Sequence, residues 1–214
     1  MMADPETIEL AMFPLEVALL PNQDLPLRIF EPRYVALVRH CLDTGEPFGV
    51  VLISRGWEVG GGDERCDVGV LCRIDECIDA GAERYALRCR TGERIRVCEW
   101  LPDEPYPRAS VRRWPDEDGD PVTQAQLADV EDKMMALFER IAESRGAVLP
   151  DRDVVLGPGH PDAGQRLFAL ASRIPIGVAD RYAVLSAPSA TARLAALREA
   201  VDTVAEMVEF QLSE

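Results

Sequence analysis

Apolar and polar positions alternate in the first half of the chain. In RYALRCR, Tyr85, Leu87 and Cys89 fall on one face and Arg84, Arg88 and Arg90 on the other. That period of two predicts a half-buried strand. Thr91-Gly92 interrupts the pattern, and RIRV, from Arg94 to Val97, resumes it. Two alternating runs around a Gly-containing break predict a β-hairpin. In that hairpin Tyr85, Leu87, Ile95 and Val97 point inward, and Arg84, Arg88, Arg90, Arg94 and Arg96 form an outer stripe. FGVVLIS, from Phe48, is continuously apolar and predicts a buried strand. DVGVLCRID, from Asp67, and PRASVRRW, from Pro107, predict two more. One helix interrupts them: Tyr34, Leu37, Val38, Cys41 and Leu42 recur at helical spacing after Pro32, and Gly45 stops the run.

The period changes after the acidic, breaker-rich segment WPDEDGDP, Trp114 to Pro121. Leu127, Val130, Met134, Leu137, Phe138 and Ile141 form one helical stripe. A Pro/Gly-rich loop covers Gly146 to Gly164, a helix follows over Gln165 to Arg173, and a short one lies near Asp180. In the last helix Leu194, Leu197, Val201, Val204, Val208 and Leu212 step by three and four. That stripe spans too few heptads for a coiled-coil seam, so packing within a helical bundle is the expectation. Two domains follow: a β-rich one over 1–118 and a helical one over 119–214.

Charge narrows the partners. The chain of 214 residues carries a net charge of −15, and both halves are acidic. Neither offers the broad positive field that nucleic acid or an anionic membrane surface needs, so neither partner is expected. No apolar run approaches the ~20 residues of a membrane span. The N-terminus, MMADPETIEL, lacks the basic and apolar regions of a signal peptide, so the expected compartment is the cytoplasm. The six cysteines, at 41, 66, 72, 77, 89 and 98, include no Cys-x-x-Cys pair. No metal or cofactor is expected from them, and Cys89 and Cys98 read as small hydrophobes within strands.

Candidate chemistry is sparse. Lys133 is the single lysine, so no GxxxxGK[ST] phosphate loop exists in the sequence. His40 adjoins Cys41 on a helix, where adjacent side chains diverge by about 100° and cannot form a nucleophile–base pair. His160, in GPGHP, has no nucleophile to serve, and the acid pairs Asp63-Glu64 and Glu117-Asp118 read as solvated turns. The arginine stripe has two readings. One is neutralisation by Glu83, Glu93 and nearby acids. The other is a docking stripe for an acidic partner.

Phe13-Pro14-Leu15, Leu20-Pro21, Leu25-Pro26-Leu27 and Phe30-Glu31-Pro32-Arg33-Tyr34 together resemble the N-terminal, substrate-binding domain of Lon protease. The resemblance continues through FGVVLI, through DVGVLCRI (the family's V-G-x-x-x-x-I strand), through Gly92 to Val97 and through Pro105-Tyr106-Pro107-Arg108-Ala109. It weakens after Trp114, where Arg193-Leu194 resembles the family's R-L pair. Asn22 replaces a favoured glycine after Pro21, and asparagine best tolerates the positive φ such a turn requires. Ile95 replaces an aromatic residue, and Asp180-Arg181 stands where the family has Lys-Gln. The ATPase and Ser-Lys peptidase domains are missing, so the chain looks like a stand-alone member.

The resemblance implies an α+β fold: a PUA-like, twisted, mostly antiparallel β-barrel followed by a C-terminal helical bundle. Within it, Pro14, Pro21 and Pro26 punctuate short strands and Pro32 opens a helix. Glu31 suits the helix N-terminus, Arg33 pairs with a carboxylate and Tyr34 packs inward. The implied function is non-enzymatic binding of unfolded or apolar polypeptide segments, as an adaptor or regulator of proteolysis. The partner is then a polypeptide substrate or partner protein. The alternative is a PUA-like domain that binds a small molecule or nucleic acid. Candidate substrate-binding residues are Glu31, Arg33, Tyr34, Arg88, Arg90 and Arg94.

Overall fold

The two periods of the sequence become two kinds of structure. A computed structural model describes residues 7–56, 58, 62 and 64–213. The chain forms two compact units, Met1–Pro115 and Asp116–Glu214, each with its own interior.

Among the described residues the first unit holds six strands and one helix: β1 (Ile8–Leu15), β2 (Asp24–Ile29), α1 (Pro32–Thr44), β3 (Phe48–Arg55), β4 (Glu64–Asp79), β5 (Tyr85–Leu101) and β6 (Arg108–Arg113). The sheet runs β2-β5-β4-β3-β1-β6, and a further β5–β6 pairing closes β1, β3, β4, β5 and β6 into a circuit. Every pairing is antiparallel except β1 with β3. Leu10, Met12, Val51, Ile95, Ala109 and Val111 form a core cluster, joined by half-buried Leu71, so all five strands of the circuit contribute to it. Each large apolar side chain buried there contributes ~1.5–3 kcal/mol. The α+β class implied by the resemblance holds.

The prolines sit where the ladder tolerates them. β1 pairs with β6 over Ile8–Ala11 and with β3 over Met12–Leu15, so at Pro14 only one edge is paired. Pro26 lies in β2, whose one partner among the described strands is β5. A residue without an N–H can sit on such an edge without breaking a ladder bond. Asn22 takes φ 62°, the left-handed turn expected after Pro21. The buried Thr91 hydroxyl donates to the Leu20 carbonyl at 2.7 Å and accepts from the Gln23 N–H at 2.7 Å, which ties this turn to β5.

The expected hairpin at Thr91-Gly92 is not formed. β5 runs unbroken through it as a 17-residue strand. On β4, Val70 and Cys72 are two residues apart, but their partners Arg94 and Thr91 are three apart. The extra residue is a bulge, the second role a glycine can play inside a strand. A bulge shifts the alternation by one residue. Arg94 therefore shares a face with Val70, and Ile95 turns to the opposite face beside Gly69. Leu87 and Ile95 are both buried as expected, but on opposite faces of the sheet, while Tyr85 and Val97 are half-buried. Cys89 is buried and Cys98 is exposed, so only the first behaves as a small hydrophobe.

The second unit is helical: α2 (Gln124–Ser144), α3 (Arg152–Leu156), α4 (Ala163–Ala171), α5 (Val178–Ser186) and α6 (Ala190–Leu212). α2 opens on a reciprocal cap in which Thr123 and Gln126 each satisfy the other's backbone N–H. Leu127, Val130, Met134 and Leu137 of α2 and Leu194, Leu197, Val201 and Val204 of α6 are buried. The α6 stripe then leaves the core, with Phe210 and Leu212 exposed. The short helix α3 lies inside the stretch that reads as an unbroken loop in sequence. Two buried arginines organise this unit. Arg166 binds Glu131 at 2.6 Å and donates to the carbonyls of Leu156 and Pro158, which fixes the Pro/Gly-rich segment. Arg193, fully buried, binds both carboxylate oxygens of Asp116.

Candidate functional site

The strand-to-helix corner after β2 is built as its residue types dictate. Glu31 is the N-cap of α1 and Pro32 occupies its first turn. The Arg33 Nε donates to Glu31 Oε2 at 3.1 Å and an Nη donates to the Glu58 carbonyl at 2.7 Å. Its guanidinium also lies 4.4 Å from the Tyr34 ring centre. Tyr34 is buried, stacked on Phe13 of β1 at 4.1 Å between centroids. Glu31, Arg33 and Tyr34 thus form one cluster whose members satisfy one another.

The arginine stripe is divided. Arg88 pairs with Glu76 at 2.5 Å, and Arg90 with Asp24 at 2.9 Å and Asp75 at 3.5 Å. Both are exposed and lie side by side on β5. Neutralisation across strands is what the register produces, by nearby acids rather than by Glu83 and Glu93. Glu83 instead pairs with Arg39, and Glu93 with Arg113. Arg94 does not belong to the outer stripe. It is buried, with its guanidinium 4.3 Å from the Trp114 ring centre. The bulge turned it to the Val70 face, and Trp114, whose N–H donates to the Arg94 carbonyl at 2.9 Å, covers it.

An open apolar recess lies at the end of β2, beside the corner. Its walls are Arg28, Ile29 and Phe30 from the β2 end, and Ala80, Arg84, Tyr85 and Ala86 from the β4–β5 turn and the start of β5. Its volume is about 450 Å³. Phe30 is 60% exposed and Ile78 is 64% exposed. The register sets Arg28, Ala86 and Ile78 side by side across β2, β5 and β4, so Ile78 extends the apolar surface. A smaller cavity of about 180 Å³ shares Arg28, Ile29 and Phe30 with it and is otherwise lined by Phe13, Leu15, Pro26, Leu27, Glu31, Tyr34 and Glu58. Phe30 is therefore part of the wall of two hollows, one apolar and one mixed. In the sequence Phe30 stands out only as the first residue of the Phe30-Glu31-Pro32-Arg33-Tyr34 motif. The signal was its place directly before Glu31-Pro32, where the chain turns outward.

The second unit offers a polar cavity of about 260 Å³ lined by Glu131, Arg152, Gly157, His160 and Arg166. Its cations are already engaged: Arg166 by Glu131 and backbone carbonyls, Arg152 by Glu131 and Asp132. His160 contacts the backbone of Asp162. His40 lies 3.2 Å from Glu46, and Lys133 lies 3.3 Å from Asp202. Burial pushes the Cys41 thiol up to about 11, away from a reactive thiolate. Among the described residues no group of His, Cys, Asp and Glu stands ready to hold a metal ion, and no helix is long and apolar enough to cross a membrane.

Comparison with known proteins places this architecture. The model of the ATP-dependent protease La (LON) substrate-binding domain matches residues 9–203. Lon protease 2 of Myxococcus xanthus is 22% identical over 219 residues, covering 97% of this chain and 26% of that protein. Lon protease of Anaeromyxobacter dehalogenans is 21% identical over 196 residues, covering 88% and 22%. The chain thus spans about a quarter of the length of these curated relatives. A Lon N-terminal domain protein from Xanthomonas campestris superposes with a TM-score of 0.64 at 26% identity, over 90% of this chain and 98% of that one. The N-terminal domain of the Mycobacterium avium complex Lon protease shares the fold, with a TM-score of 0.65 at 15% identity over 91% and 98%. With the family model covering almost its whole length, this chain belongs to the Lon substrate-binding domain family.

Proposed function

We propose that this protein is a non-catalytic binding module for unfolded or apolar polypeptide segments, held at the recess around Phe30, and that it acts as an adaptor or regulator of proteolysis. The carrying observation is the exposed apolar surface of Phe30 and Ile78 over a 450 Å³ recess, on a chain of a substrate-binding family. Exposed large apolar side chains grouped in one place mark interaction sites more often than isolated ones do. Glu31, Arg33 and Tyr34 serve this reading as the frame that holds Phe30 outward. Arg88 and Arg90, each ion-paired, lie farther along β5 and act as a soluble flank.

Calorimetric titration with a permanently unfolded protein, such as reduced and carboxymethylated lactalbumin, tests the reading. Ordering a flexible segment costs ~2–5 kcal/mol, so the affinity expected is micromolar or weaker, with a negative heat-capacity change. Phe30→Ser and Ile78→Ser should each weaken it without changing the fold. Binding that is unchanged in the double variant would overturn the proposal.

A further inference from the structure

Arg28 and Arg84 differ from the arginines around them. Arg33, Arg39, Arg88 and Arg90 each hold a carboxylate: Glu31, Glu83, Glu76 and Asp24 respectively. Arg28 and Arg84 line the recess, are exposed, and among the described residues have neither an ion pair nor a hydrogen bond from their side chains. Among the described residues no carboxylate is part of the recess wall. In a chain with 38 acidic against 23 basic residues, acids are abundant, yet among the described residues these two cations stay unpaired beside the exposed ring of Phe30.

The turn that carries Arg84 is tightly fixed. Asp79 Oδ1 accepts from the Gly81 N–H at 2.8 Å, the Ala80 N–H donates to the Arg84 carbonyl at 2.9 Å, and the Arg84 N–H donates to the Gly81 carbonyl at 3.1 Å. Ala82 and Glu83 are held at φ 51° and 56°, a conformation non-glycine residues avoid. Arg28 is fixed on the other side by its place opposite Ala86 in the ladder. The recess thus has an apolar lining and two arginine side chains in its wall, each carried on an anchored backbone.

We infer that the recess selects apolar segments carrying an Asp or Glu side chain next to the apolar residue, with Arg28 and Arg84 donating to that carboxylate. This rests on the binding site proposed above and adds its selectivity. The net charge of −15 opposes an acidic ligand at long range, but screening over ~8–10 Å at physiological salt leaves the local arginines to decide. An exposed pair strengthens association modestly, so two together give a preference of roughly three- to tenfold.

Fluorescence anisotropy with the full chain and three short, acetylated and amidated peptides tests this. The peptides share a Phe-Leu centre and differ only in flanking Glu, Gln or Lys, and the blocked ends remove the terminal carboxylate. The Glu peptide should bind tightest and the Lys peptide weakest. Arg28→Gln with Arg84→Gln should abolish the difference between the Glu and Gln peptides, bringing the Glu peptide down to the Gln peptide. Equal binding of the Glu and Gln peptides to the unaltered protein, with both lost in Phe30→Ser, would overturn the selectivity and leave the apolar site standing. Binding of all three that survives Phe30→Ser would overturn the site itself, and the selectivity with it.

Discussion

Removing the Asp116 carboxylate should unfold the helical unit at a markedly lower temperature and leave the β-rich unit untouched. Arg193 is fully buried on α6, with its Nη atoms 2.5 and 2.9 Å from the Asp116 oxygens and its guanidinium 3.7 Å from the Phe168 ring centre. The pair packs closely against α4: a Cβ on Gly164 would lie 2.7 Å from Asp116 Oδ2 and 2.8 Å from Arg193 Nη1. Deleting one partner of a buried pair costs about 3–5 kcal/mol because the other charge is left without compensation. The Asp116 side chain is 34% exposed, so water can partly replace it and the lower end, about 3 kcal/mol, applies. For a unit of this size, 1 kcal/mol moves the midpoint by ~4–8 °C, so Asp116→Ala should lower it by about 12 °C or more. Two probes separate the units. Circular dichroism at the helical band follows mainly α2–α6, whereas Trp100 and Trp114 lie in the first unit and report on it. Adding Arg193→Met to Asp116→Ala removes the orphaned charge and should recover much of the loss. A helical midpoint shifted by less than about 4 °C, or a double variant no better than the single, would refute the reasoning.

Three further outcomes follow from the first unit. Gly69→Ala should destabilise it by about 1–3 kcal/mol or more in denaturant titration, because the added Cβ would lie 2.1 Å from the Val50 carbonyl oxygen. Leu87→Asp should unfold the unit, since it buries a charge on a β5 position only 5% exposed, whereas Arg88→Ala should change stability by under ~0.5 kcal/mol; equal effects on the melting midpoint would mean β5 is misassigned. Burial raises the Cys41 thiol from 9.0 to about 11, so the folded state holds that proton more tightly than the unfolded chain. The stability it contributes is complete below about pH 9 and is lost as pH rises toward 11; urea midpoints measured across that range should fall less steeply in Cys41→Ala.

Local patterns carried most of the fold. The α1 and α2 stripes and the alternation in β5 act over a few residues and are written in adjacent positions. Asn22 and the Glu31–Tyr34 corner were legible for the same reason. What could not be read depended on partners distant in sequence. A glycine inside an alternating run marks either a turn or a bulge, and only the opposing β4 decides that Gly92 is the second. The burial of Arg94 needs Trp114, twenty residues on, and the pairing of Arg88 and Arg90 needs a register that brings up Glu76, Asp75 and Asp24. α3 has five residues, too few to show a period. The recess was hidden most completely, because the β2 end, the β4–β5 turn and the start of β5 make it only when assembled.

Site-specific photocrosslinking tests the central claim most directly. A photoreactive phenylalanine analogue replaces Phe30 in one sample and Phe210 in another; the two are 60% and 66% exposed and lie in different units. Each is irradiated with the same permanently unfolded protein at a concentration near the micromolar affinity expected. The account predicts a strong crosslinked species from position 30, competed away by excess unlabelled unfolded protein, and only background from position 210. A competed crosslink from position 210 with none from position 30 would contradict it.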